Sequence, residues 1–214
     1  MYKTEWYPPK DPPSRALIFL HGRGQSHAAT LSIANTLVLH NTLLVLPCAP
    51  EQRWYPASFL SDLADNEPSL GASITYLDKV IGKLLDMGLT RRQIVMAGFS
   101  QGAALAAEYV GRGGGAVKAL IAFSGGRLGP WGTNWKERAS LSGIQMLFSV
   151  ATRDPFVPLE RVRETASHFA QRGAITQLEM FDEDEHYVRQ SEYNAARALL
   201  AQTDSEHLAI RSES

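Results

Sequence analysis

Four stretches of this chain are apolar without interruption, residues 16–20, 43–46, 94–98 and 120–123, and a fifth, 146–150, is broken only by Ser149. A strand with one face in water alternates polar and apolar residues; these do not, so each is expected to be covered on both faces. Strands of that type belong to parallel sheets with helices on either side. A sixth stretch, 175–181, carries Thr176, Gln177 and Glu179 among its apolar residues and so reads as lying nearer an edge. Tyr2 to Tyr7 reads as a further edge strand, ended by Pro8, Pro9, Pro12 and Pro13.

Helical spacing fills most of the gaps. It runs over 27–39, over 70–87 with Gly88 as the stop, and through the alanine-rich stretch after Ser100. It resumes over 158–173, with Pro158 in the first turn, and over 188–202. This alternation predicts an α/β three-layer sandwich around a mostly parallel sheet of about six to seven strands, with no separate lid domain. One domain is expected over residues 1–202, followed by a polar tail at 203–214.

Bulk properties narrow the function classes. A net charge of −1 gives no reason to expect nucleic acid or an anionic membrane as partner. The single cysteine, Cys48, excludes an internal disulfide and argues against a cysteine-based zinc site. Without a long apolar run no membrane span is expected, and Met1 to Glu5 lack the apolar core of a signal peptide, so a cytoplasmic setting is the default. The oligomeric state, monomer or homodimer, is left open.

In an open parallel sheet, chemistry collects beyond the carboxyl ends of the strands. His21-Gly22-Arg23-Gly24 follows the first buried strand, and Gly98-Phe99-Ser100-Gln101-Gly102 follows the third. Arg153-Asp154 follows the fifth, and Asp182-Glu183-Asp184-Glu185-His186 follows the sixth. The G-x-S-x-G run sits between a strand and a helix, which predicts a tight turn lifting the serine hydroxyl clear of the sheet. A serine, an acid and a histidine thus end three strands in that chain order. A serine hydroxyl needs a base to take its proton, and the base needs a carboxylate to fix its tautomer. Asp154 is favoured as the acid by its place in the order, with Asp182 and Asp184 as alternatives. His186 is favoured as the base, because His168 falls within a helix, His207 in the tail, and His27 and His40 flank the first helix. His21 reads as structural, Cys48 as buried filler, and the acidic run 182–185 as a solvated loop.

These motifs, together with Leu46-Pro47-Cys48-Ala49-Pro50, Trp54-Tyr55, Phe123-Ser124-Gly125-Gly126 and Asp154-Pro155-Phe156-Val157-Pro158, resemble the phospholipase/carboxylesterase family of α/β-hydrolases over about residues 15–200. The resemblance implies Ser100 as nucleophile, Asp154 as acid, His186 as base, and the backbone N–H groups of Arg23 and Gln101 as the oxyanion hole. It implies hydrolysis of carboxylic esters through an acyl-enzyme, with no metal or organic cofactor. The alternatives are acyl-thioesterase or dienelactone-hydrolase-like activity, or a catalytically silent ligand-binding homologue. Glu185 departs from the pattern, since the family often has glycine before this histidine. For a small-molecule ester substrate, the aromatic residues of the two longest loops and the acid loop, Trp54, Tyr55, Phe59, Trp131 and Phe156, are candidate contacts. The Arg23 side chain is read two ways, as a contact for a substrate carboxylate or as a tie for its own loop.

Overall fold

Alternate residues of strand β2 (Arg15–Leu20) enter two different cores: Ala16, Ile18 and Leu20 join one, and Leu17 and Phe19 the other, all fully buried. The same division runs through β3 (Thr42–Cys48), β4 (Ile94–Phe99), β5 (Ala119–Phe123) and β6 (Gln145–Ala151). That is the two-faced burial their largely apolar sequences demand. Each Leu or Phe side chain so enclosed contributes about 1.5–3 kcal/mol.

The computed structural model describes residues 1–113, 117–137 and 139–212, with side chains through residue 202. Its sheet has seven strands in the order β1-β3-β2-β4-β5-β6-β7, where β1 is Lys3–Tyr7 and β7 is Ile175–Phe181. All neighbours are parallel except β1, which runs antiparallel to β3 at one edge. β7 forms the other edge, and its mixed burial matches its mixed sequence. Helices α2 (Ser69–Asp86), α3 (Gln101–Gly111) and α4 (Leu159–Gln171) cover one face. Helices α1 (His27–Asn35) and α5 (Gln190–Ser212) cover the other.

Helix ends follow local chemistry. At the end of α2, Gly88 takes φ +89°, which lets Leu89 N–H reach back to Leu84 O at 3.1 Å. Helix α1 stops at Asn35, short of the predicted 39. The backbone tightens there into three-residue turns at Thr36, Leu37 and Val38, and the Thr36 hydroxyl donates to Ile33 O. Helix α5 continues through Ser212, where the sequence predicts a loose tail from residue 203. No Gly or Pro interrupts 203–212, so nothing local ends the helix. Side chains beyond residue 202, and residues 213–214 of the expected tail, lie outside the described residues.

The Ser26 hydroxyl caps α1 by accepting Ala29 N–H at 3.2 Å. Ser26→Ala is expected to cost about 1 kcal/mol, read as a fall in Tm of about 2–4 °C for a chain of this size. An unchanged Tm would show that this cap adds nothing to the helix.

Candidate active site

Ser100 is forced into an unusual backbone, φ 55° and ψ −119°, at the junction of β4 and α3. Close packing imposes this. A Cβ on Gly102 would lie 2.2 Å from Leu20 O, and one on Gly98 would lie 2.6 Å from the Gly102 carbonyl carbon. The turn can therefore be built only with glycine on both sides of the serine. Ser100 N–H donates to Phe123 O at 2.9 Å, which ties the turn to the end of β5.

The side chains that the sequence sets after three different strands meet here. His186 Nε2 lies 2.8 Å from Ser100 Oγ, and its Nδ1 lies 2.7 Å from Asp154 Oδ2. A carboxylate only accepts, so the Nδ1 proton points at Asp154, and Nε2 is left to accept the Ser100 hydroxyl. Asp154 Oδ1 is held separately by the N–H groups of Phe156 and Val157 at 2.9 and 3.0 Å. Burial alone would raise the Asp154 carboxyl; the His186 contact and the two backbone donors outweigh it and hold it below the usual carboxylate range. The imidazole is boxed by Phe99 at 4.8 Å and by the edge of Phe156 at 5.1 Å. Asp182, an alternative acid by sequence, is turned outward and pairs with Arg153.

The loop after β2 is strapped to residues 49–57. His21 Nε2 accepts Ala49 N–H at 3.1 Å, so Nδ1 carries the proton and donates to Gly22 O at 2.8 Å. Burial lowers the His21 pKa, which keeps this neutral form. Gly22 N–H donates to the Gln25 side chain, Gly24 N–H to Gln52 O, and Gln25 N–H to Gly22 O. The N–H groups of Arg23 and Gln101 donate to no protein acceptor among the described residues. The Gln101 side chain accepts Trp54 N–H at 3.0 Å and donates to Tyr55 O at 2.8 Å, locking the second loop to the turn. Both outer nitrogens of Arg23 donate to carbonyls, of Pro56 at 2.8 Å and Ala57 at 2.7 Å. Of the two sequence readings of that side chain, the loop tie is the one its contacts match.

Ser100 opens into a cavity of about 290 Å³. Tyr55, Phe59, Phe156, Val157 and Ala104 give it a largely apolar wall, with Arg23 and Ser58 as the polar part. Two candidate contacts lie elsewhere. Trp54 is fully buried beneath the site, its ring stacked on His21 at 4.7 Å and its indole N–H on His21 O. A buried tryptophan needs a partner for that N–H, and this loop supplies one. Trp131 stands 55 % exposed outside the cavity, with the Arg161 guanidinium 4.9 Å above its ring. Ser58 and Ala104 line the cavity without any sequence signal, and Gly125 and Val157 lie inside motifs that do not mark them as contacts; only the fold brings them there.

Comparison with known proteins agrees with this architecture. A crystal structure of a phospholipase/carboxylesterase from Dyadobacter fermentans superposes with a TM-score of 0.85, at 28 % identity over 93 % of this chain and 95 % of that one. The carboxylesterase of Bacillus cereus superposes at 0.79 with 19 % identity over 95 % of each chain, a likeness of fold alone. Acyl-protein thioesterase 1 of Cryptococcus neoformans is 30 % identical over 114 residues, 45 % of this chain and 48 % of that protein. The chain thus spans about half the length of the curated relatives it matches. The model of the phospholipase/carboxylesterase family matches residues 3–203, and the chain belongs to that family.

Proposed function

We propose that the chain is a serine hydrolase of carboxylic esters. The observation that carries this reading is the unbroken line of hydrogen bonds from Asp154 through His186 to the Ser100 hydroxyl, at the mouth of an apolar cavity. Ser100 Oγ attacks the acyl carbon while its proton passes to His186 Nε2. The carbonyl oxygen, now negative, takes the Arg23 and Gln101 N–H groups, which have no competing protein acceptor among the described residues. His186 returns the proton to the leaving alkoxide, and the acyl group stays on Ser100. Water then reverses the sequence, giving up its proton to His186 as it attacks, and frees the acid.

Tyr55, Phe59 and Phe156 offer surface to an acyl chain or an aromatic ester. The acyl-protein thioesterases among the relatives favour thioesters as a second substrate class; the same attack cleaves a C–S bond. Comparing an oxygen ester and a thioester of one acyl group orders the two.

A fluorophosphonate probe tests the reading, since it traps only a serine whose oxygen is already activated. The expected result is one adduct per chain, on the peptide containing Ser100, by mass spectrometry. No adduct, or one at another serine, would overturn the hydrolase reading.

A further inference from the structure

Arg189 is 6 % exposed, and its guanidinium spans the loop that carries His186. Its two outer nitrogens donate to the carbonyls on either side of that residue: Glu185 O and Tyr187 O, both at 3.2 Å. Nε donates to Glu183 Oε2 at 2.7 Å, and Nη1 also reaches Glu192 Oε2 at 3.1 Å. The plane lies 4.8 Å over the Phe181 ring and 4.5 Å over Tyr187. Fully buried Glu192 closes the frame. It accepts Arg189 N–H at 2.7 Å, and its other oxygen accepts the hydroxyl of Ser149, on the strand that leads to Asp154.

We infer that Arg189 is a positioning residue, which with Glu192 sets the distance from His186 to both Asp154 and Ser100. The inference rests on the hydrolase reading above. The loop from Asp182 to Val188 has no regular secondary structure of its own to hold it. A guanidinium suits the task because its fork of donors is rigid and always charged. It grips both carbonyls flanking the histidine at once, while Glu183 and Glu192 balance its charge. Two further ties, Thr152 N–H to Phe181 O and Arg153 N–H to Glu183 O, join the acid loop to the same segment.

The test separates positioning from stability. Arg189→Met removes every polar contact of the side chain, leaves the backbone bond to Glu192, and keeps most of the bulk. A shift of the histidine by about an ångström costs roughly 10²-fold, so kcat is expected to fall by about that factor with KM held within about twofold. Arg189→Lys keeps the charge but cannot hold two carbonyls and two carboxylates together, and should fall between. The low-field proton resonance of His186 Nδ1–H, recorded in a Ser100→Ala background, is expected to broaden or vanish on Arg189→Met. A folded Arg189→Met protein with unchanged kcat and an unchanged resonance overturns the inference. So does a loss of rate that only follows the fraction folded. If Arg189→Met does not fold, unchanged kcat and resonance in Arg189→Lys overturn it. Failure of the hydrolase reading shows separately, as wild-type protein without a Ser100 adduct.

Discussion

Asp154→Asn is expected to lower kcat by about 10⁴ while leaving the protein folded. The direction follows from how the carboxylate is held. Asp154 Oδ1 is committed to the N–H groups of Phe156 and Val157, so in the asparagine the amide oxygen must take that position. The NH2 group is then forced to the place of Oδ2, facing His186 Nδ1. A donor there demands an unprotonated Nδ1, which moves the imidazole proton to Nε2. Nε2 would then donate to the Ser100 oxygen instead of accepting from it, and the base is lost in its resting form. Volume and backbone contacts are nearly conserved, so the Tm should move little. The ¹⁵N shifts of His186 report the tautomer directly, and its two ring nitrogens are expected to exchange their character in the variant. A fall in kcat below about tenfold, with the wild-type tautomer retained, would remove Asp154 from the mechanism.

The parts of this molecule legible in its sequence are those where one physical demand acts on a contiguous run. β2 through β6 are apolar on both sides of the pleat over most of their length because both faces are covered, so their number and parallel character could be read in advance. Ser100, Asp154 and His186 could be placed because residues that end parallel strands converge on one edge, whichever order the strands take. Where the outcome depends on packing between distant segments, the sequence is silent or ambiguous. Trp54, Tyr55 and Phe59 share one loop and one aromatic character, yet Tyr55 and Phe59 reach the cavity wall while Trp54 is folded beneath it onto His21. Nothing local distinguishes them. Arg189 carried a faint signal: three residues past His186, and three before Glu192, it has the spacing of a helix-capping pair. Its grip on Glu185 and Tyr187 appears only once the loop is folded.

The charged cluster around Glu108 was wholly illegible, and it carries the largest stability effect expected here. Glu108 lies on α3, two turns from Ser100, and is 1 % exposed; Arg127, in the segment after β5, is 0 % exposed. Glu108 Oε1 accepts from Arg112 Nε at 2.7 Å and Arg127 Nη2 at 3.2 Å, and Oε2 from Arg127 Nε at 3.1 Å and Leu128 N–H at 3.3 Å. Glu137 holds the outer side of the same guanidinium at 3.0 and 3.1 Å. Burial alone would lower the Arg127 pKa, but the two carboxylates outweigh it and raise it. Glu108→Gln keeps the shape and removes half the balance. Only one of its two terminal atoms can accept, so an NH2 group is pressed against N–H donors with no water to relieve it. Breaking one side of a buried pair costs about 3–5 kcal/mol, and each kcal/mol lowers the Tm of a chain this size by about 2–4 °C. The rate at 25 °C, well below the transition, is expected to stay near wild type, because Ser100 is set by the glycines of its turn and not by this cluster. The double variant Glu108→Leu with Arg127→Met is expected to be more stable than either single change, since neither fully buried charge is then left without its partner, while Arg112 and Glu137 are partly exposed and can turn to water. Denaturant unfolding of the four proteins gives the coupling directly. A Glu108→Gln loss below about 1 kcal/mol, with additive single effects, would mean that Glu137 alone balances Arg127 and that Glu108 adds only bulk.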